Sequence, residues 1–215
     1  MTLLLRIDAS PRTDKSHSRR MANELVERLL AARPELTITD RDLGAGPAPA
    51  VDGRYVDAML TTFTREQSAA SAALSLSEAF IAELERAELV VISTPVHNYT
   101  VPASLKAWID HVVRVGRTFR PTPTGKAGLL KDRPTFVVAA SGGYFSSTEA
   151  RQPDFFTPYV DAVLRTIGIF DVHHVRLEGL ARGEAAIAAA LETARAQVAS
   201  IVASPSLAGV ATTGS

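Results

Sequence analysis

Two hydrophobic patterns alternate along the chain. Short, nearly continuous apolar runs are separated by longer stretches whose apolar residues recur every three or four positions, the signatures of buried strands and amphipathic helices. LLLRID (3–8) ends at a Ser-Pro turn and reads as a strand. In 18–32, Met21, Leu25, Leu29 and Leu30 share one helical face, and Ser16 or Ser18 suits the N-cap. LTITDRDL (36–43) alternates like a second strand, 44–53 is a loop, and the Ala- and Leu-rich 70–86 reads as a helix. LVVIS (89–93) is the third strand. The clearest helix spans 102–115, with Leu105, Trp108, Ile109, Val112 and Val113 on one stripe, Lys106, Asp110 and Arg114 opposite, and Pro102 in the first turn. TFVVAAS (135–141) is the fourth strand, 158–167 a helix, and DVHHVRL (171–177) the fifth strand. A last helix covers 184–202, striped by Ile187, Leu191, Ala194, Val198 and Ile201, and 204–215 is expected to be a disordered tail after a single domain over 1–203.

Five strand–helix alternations predict an α/β fold, a parallel sheet with helices on both faces joined by right-handed crossovers. Ligands of such sheets bind beyond the carboxyl ends of the strands. Three strand ends then converge: SPRTDKSHS (10–18), TPVHNY (94–99) and ASGGY (140–144).

Composition narrows the class. The 215 residues suffice for one core, and 23 Lys plus Arg balance 23 Asp plus Glu, which argues against bulk nucleic-acid binding and an anionic membrane surface. The absence of cysteine excludes a disulfide scaffold, a thiol nucleophile and thiolate metal sites. The first apolar run is too short for a signal peptide, no stretch is expected to reach the length of a membrane span, and a cytoplasmic location is expected.

The loops carry matching chemistry. Ser10, Ser16 and Ser18 place neutral hydroxyl donors before a helix N-terminus, where free N–H groups and the helix dipole favour an anion such as phosphate; turn formation and capping explain the same serines. No GxGxxG or Walker pattern is present. Gly142 and Gly143 permit either a tight turn or close approach to a flat ring. His97, Asn98 and Tyr99 offer groups for the polar edge of a heteroaromatic ring.

ASPR (9–12), SHSRR (16–20), TPVHNYTVPASLKAWIDHVVRVGRTFR (94–120), GLL (128–130), ASGGY (140–144) and DFFTPYVDAVLRTIGI (154–169) together resemble the FMN-dependent NADH-azoreductase and quinone-reductase family, and the resemblance runs to about residue 202. It implies a flavodoxin-like, doubly wound five-stranded parallel sheet of order 2-1-3-4-5. It implies one FMN per subunit, its phosphate held by Ser10, Ser16, His17 and Ser18, and its ring flanked by Val96, His97, Asn98, Tyr99, Ala140, Ser141, Gly142 and Gly143. It further implies a homodimer in which NADH reduces FMN and leaves before a quinone or azo compound takes two electrons, with Phe119 and Phe155 as pocket or interface candidates. Core packing is the expected role of Trp108.

Two positions depart from the family pattern: His97 stands where a tyrosine is common, and Ser141 where an arginine is frequent. No obligatory catalytic acid is evident, and His97 is the candidate donor. His173 and His174 are adjacent on a strand, so they point to opposite faces and form no metal pair, while His111 is expected at the surface or the interface. The rival readings are a flavodoxin-like electron carrier, disfavoured by the neutral charge, and a hydrolase using Ser10 or Ser141, disfavoured because no G-x-S-x-G elbow occurs.

Overall fold

The structure is a computed structural model that describes residues 2–61, 67, 70–146, 148 and 150–204. Five parallel strands form the central sheet: β1 (Thr2–Asp8), β2 (Leu36–Asp42), β3 (Leu89–Pro95), β6 (Thr135–Ala140) and β7 (Val172–Leu177). Their spatial order is β2-β1-β3-β6-β7, the expected order with two strands of a separate hairpin numbered between them. That hairpin pairs β4 (Phe119–Thr122) with β5 (Gly125–Gly128) in antiparallel register.

Burial on both faces explains the unbroken apolar runs. In β3, Val90 and Ile92 enter one core while Leu89 and Val91 enter the other. The first core is closed by α3 (Ser75–Arg86), α4 (Ala103–Val112) and α5 (Phe156–Ile167), through residues such as Phe80, Leu84, Leu105, Trp108, Val160 and Leu164. The second is closed by α1 (His17–Ala32) and α6 (Glu184–Val202), through Met21, Leu25, Leu29, Ala194 and Val198. Trp108 is buried in the first core, as expected of it.

Several expectations are corrected. The helix read over 70–86 divides into a 3-10 turn at Ala72–Leu74 and α3, and a further helix, α2 (Gly53–Thr61), follows the loop after β2. Arg114 does not lie on a solvent face. It is 1% exposed, and its Nη1 donates to Ser77 Oγ at 2.9 Å and to Glu78 Oε1 at 2.7 Å, because α3 packs across that side of the helix end. His111 is likewise buried, edge-on to Tyr55 and Phe80, with Nε2 3.0 Å from the Pro49 carbonyl. One helix does reach the length and apolarity of a membrane span, namely α6 with 19 residues at mean hydropathy 1.3. Alanine supplies much of that value; Ala194 and Val198 seat α6 on the sheet, and Arg195 pairs with Glu24 of α1 at 2.8 Å. The expected tail lies outside the described residues beyond Ser204.

His173 and His174 do diverge. His173 stacks on Phe136 with 5.4 Å between ring centroids, whereas His174 Nε2 lies 2.8 Å from Asp161 of α5.

Candidate functional site

The carboxyl ends of β1, β3 and β6 are stitched together by short contacts. The Ala9 amide donates to the Ser93 carbonyl, and Ser104 Oγ, at the start of α4, donates to the Ala9 carbonyl, both at 2.8 Å. The Val96 amide donates to the Ala140 carbonyl, and the Ser141 amide to the Leu177 carbonyl, again at 2.8 Å. The three loops read from the sequence therefore meet along one sheet edge.

In the first loop, Ser10, Ser16 and Ser18 are all buried. Ser16 caps α1, accepting from the Arg19 amide at 3.3 Å, and its Oγ lies 3.1 Å from Ser18 Oγ. Ser10 Oγ accepts from the Arg12 amide at 3.3 Å. One of the Ser16 and Ser18 hydroxyls donates to the other, and the accepting one and Ser10 keep their O–H groups to donate, which suits the set to an anion. His17 fits the same picture: its Nδ1 is buried without a partner. Burial, and then the nearby charges of Arg20 and Arg12, push its imidazole below the usual histidine range. The two guanidinium charges of Arg20 and Arg12 beside this ring make it a place where negative charge is welcome.

Beneath the loop lies a clamp that sequence reading missed. Arg19 binds Asp42 at the end of β2 through both Nη atoms, at 2.7 and 2.8 Å, and Nη2 also donates to the Ser10 carbonyl at 3.2 Å. These bonds hold the Asp42 carboxyl down at about 2. Asp8 sits deeper; it accepts from Ser93 Oγ and lies 3.5 Å from Arg19, and burial pushes its pKa up against the opposing pull of those partners. Gly44 completes the clamp. A Cβ there would lie 2.0 Å from the Ser10 carbonyl oxygen, so only glycine lets the two chain segments touch. The rule that flagged the other strand ends also applies to the end of β2, and GAG (44–46) begins there.

The second loop is a two-residue hairpin. His97 and Thr100 exchange backbone bonds at 2.8 and 3.0 Å, while Asn98 (φ 46) and Tyr99 (φ 76) occupy the left-handed region. Asn tolerates this conformation, but Tyr pays about 1–2 kcal/mol for it. The hairpin presents His97, Asn98 and Tyr99 to solvent, with Val96 partly buried against the first core. The Tyr99 ring meets Phe155 edge-on at 6.3 Å between centroids, so Phe155 joins this rim, 58% exposed. Phe119 does not. It lies in the β4–β5 hairpin, with Lys126 Nζ 4.9 Å from its ring centroid.

The glycine loop is anchored from the far side. Gly142 and Gly143 carbonyls accept from the Ala181 and Gly179 amides at 3.1 Å, and the Ser141 carbonyl from Leu180 at 3.1 Å. Neither Gly142 nor Gly143 has a positive φ, so a left-handed turn is not what calls for glycine here. A Cβ on Gly142 would press on Ala181 at 3.2 Å. A Cβ on Gly143 would meet nothing closer than Gln152 at 3.7 Å, so contacts within the chain leave this face open to a ligand. Buried hydroxyl donors at a helix N-terminus, a left-handed hairpin and an open glycine face fit the phosphate and flat ring of FMN. Among the described residues, no three His, Cys, Asp or Glu side chains group as metal ligands do.

Comparison with known proteins agrees with this chemistry. A family model described as a flavodoxin-like fold matches residues 2–202. The chain is 46% identical over 195 residues to FMN-dependent NADH:quinone oxidoreductase 4 of Pseudomonas fluorescens, covering 91% of this chain and 93% of that protein. It is 46% identical over 201 residues to FMN-dependent NADH:quinone oxidoreductase 2 of Cupriavidus pinatubonensis, covering 94% and 98%. Among solved structures, it is similar to an FMN-dependent NADH-azoreductase from Bacillus anthracis in complex with FMN, with a TM-score of 0.79, 25% identity, and 94% and 100% of the two chains covered.

Proposed function

Because this chain belongs to the flavodoxin-like family, we propose that its three-loop edge is the catalytic site of an FMN-dependent NADH:quinone oxidoreductase that also reduces aromatic azo compounds. The observation that carries the reading is the buried serine set at the N-terminus of α1, joined along one sheet edge to a hairpin and an open glycine face. When bound, FMN supplies a two-electron carrier between NADH and the acceptor.

The chain's own residues bind and orient. Ser10, Ser16 and Ser18 would hold the phosphate through their hydroxyls, the Ser16–Ser18 pair exchanging its internal bond for one to the anion, and the first amides of α1 would add their dipole. His17 extends this anion site through its unpartnered Nδ1. Val96, His97, Asn98 and Tyr99 line one side of the ring position, and Ala140, Ser141, Gly142 and Gly143 the other. The strained Asn98-Tyr99 turn holds that wall in one shape before ligand arrives. Arg19 positions the phosphate loop through the Ser10 carbonyl.

A homodimer is part of the same reading. Tyr99 and Phe155 are 51% and 58% exposed in one chain beside the ring position, and a second copy over them would exclude water from the site. Residues 1–203 form its single domain, and its place is the cytoplasm.

The test is direct. Purified protein should be yellow, should bleach on NADH in air-free buffer, and should recover its colour when a quinone is added. A flavin that bleaches but transfers no electrons to quinones or azo compounds would indicate an electron carrier instead. Sedimentation should show two chains per particle; a monomer with full flavin and activity would refute the shared site.

A further inference from the structure

Beside the glycine loop lies a cavity of about 250 Å³, lined by Tyr99, Gly143, Tyr144, Arg151, Gln152 and Arg182. It touches one residue of the hairpin, Tyr99, and two of the glycine loop, Gly143 and Tyr144, so it borders the position proposed for the flavin ring. Among the described residues its lining holds two guanidinium groups, one neutral amide and two phenols, and no carboxylate. Among the described residues, neither Arg151 nor Arg182 is ion-paired.

Arg182 is held in place for this role. Its guanidinium lies 5.0 Å from the Tyr144 ring centroid. The Tyr144 ring in turn rests on Gly179, where a Cβ would lie 2.6 Å from ring atoms. The turn that carries Arg182 closes through its own amide to the Gly179 carbonyl at 3.0 Å, and the same turn binds the Gly142 and Gly143 carbonyls. Arg182 is thus tied to the glycine loop by a short chain of contacts. The Tyr99–Phe155 edge supplies an aromatic wall next to these cations.

Resting on the reductase reading above, we propose that this cavity is an anion-accepting subsite, which takes a carboxylate, sulfonate or phosphate group carried by a molecule lying against the flavin. Planar forked donors match such oxyanions. The FMN phosphate is not the occupant, because its donors are in residues 10–18 and none of them lines this cavity. Two sources share the chemistry: an acceptor bearing an acidic substituent, and the diphosphate of NADH.

The experiment compares wild type with Arg182→Gln, Arg151→Gln and the double variant. Flavin content is measured first. Steady-state kinetics then use 1,4-naphthoquinone, its 2-sulfonate and NADH, and calorimetry uses naphthalene-2-sulfonate against neutral naphthalene-2-sulfonamide. If the anion belongs to the acceptor, the preference for the sulfonated over the neutral quinone, as a ratio of kcat/KM, should fall roughly tenfold on loss of one charge-assisted bond. If it belongs to the donor, KM for NADH should rise by a similar factor while the ratio between quinones holds. In either case wild-type binding of the sulfonate should weaken with salt, and the double variant should bind it weakly at all salt concentrations. The proposal is overturned if the double variant, with full flavin, keeps the wild-type quinone ratio, NADH KM and sulfonate affinity. It is also overturned if Arg182→Gln loses flavin without losing sulfonate selectivity, which would assign the cation to the flavin itself. Wild-type protein that carries no flavin would defeat the reductase reading, and the calorimetry would still decide whether the two arginines bind an anion.

Discussion

Gly44→Ala tests how the phosphate loop is held. The added Cβ would lie 2.0 Å from the Ser10 carbonyl oxygen and 2.6 Å from its carbon. Contacts under 3.0 Å force a shift, so the Ser10 backbone must retreat by about 1 Å, the difference between 3.0 and 2.0. Arg19 Nη2, 3.2 Å from the unmade Cβ, resists part of that movement. A charge-assisted hydrogen bond has a working range of only a few tenths of an ångström, so the Ser10 bond to phosphate should be lost. That bond is worth about 1.5–3 kcal/mol, which corresponds to roughly ten- to hundredfold weaker FMN binding. Overpacking should separately lower stability by about 1–3 kcal/mol. Flavin fluorescence titration measures the first effect and urea unfolding the second. Gly46→Ala is the control, since its Cβ would meet only the Asp42 carbonyl at 3.7 Å, an ordinary contact. An FMN Kd for Gly44→Ala equal to that of Gly46→Ala and wild type would refute the idea that the close approach of β2's loop positions Ser10.

Ser18→Ala, which removes a fully buried hydroxyl beside the Ser16 cap, should weaken FMN binding roughly ten- to hundredfold, and unchanged retention on dialysis would contradict the assignment. Asp42 is held at about 2, below its ordinary 3.8, so its pair with Arg19 stabilises the fold above the ordinary value and that contribution is lost as pH falls through about 2. Urea unfolding should therefore show Asp42→Asn less stable than wild type at about pH 5, with a gap that narrows on acidification; a pH-independent gap would rule out the ionic clamp. The gap should be modest, because the Asp42 side chain is 36% exposed and water screens the pair. His97 lies exposed on the hairpin beside the ring position; His97→Ala should slow stopped-flow reduction by NADH, and an unchanged rate would leave the side chain without a role.

Much of the fold was legible because it depends on neighbours in sequence. Strands buried on both faces are nearly continuous apolar runs, so LLLRID, LVVIS and TFVVAAS announced themselves despite a polar residue or two in each, and their alternation with 3.6-period stripes set the layer order. Ser16 was legible as a cap because capping acts over three residues. The site loops were legible because every strand of a parallel sheet ends at the same edge. The β4–β5 hairpin was not, since its short, half-exposed strands carry no distinct period.

What the sequence by itself determined was the five strands of the main sheet, the helices that close its two cores, the edge at which the three loops gather, and the residue types on them. Only the tertiary structure decided which distant residues serve one another. Asp42 reaches Arg19 across 23 positions, and Gly44 meets Ser10 because β1 and β2 end side by side. Arg114 reads as opposite the apolar stripe and His111 as a surface or interface residue, yet both are buried because α3, with Tyr55 of α2 beside His111, covers that side. Arg151 and Arg182 share a cavity only because the turn after β7 folds back onto the glycine loop. Local pattern records whether a residue is buried by its own element; partnership between elements is a property of how they pack.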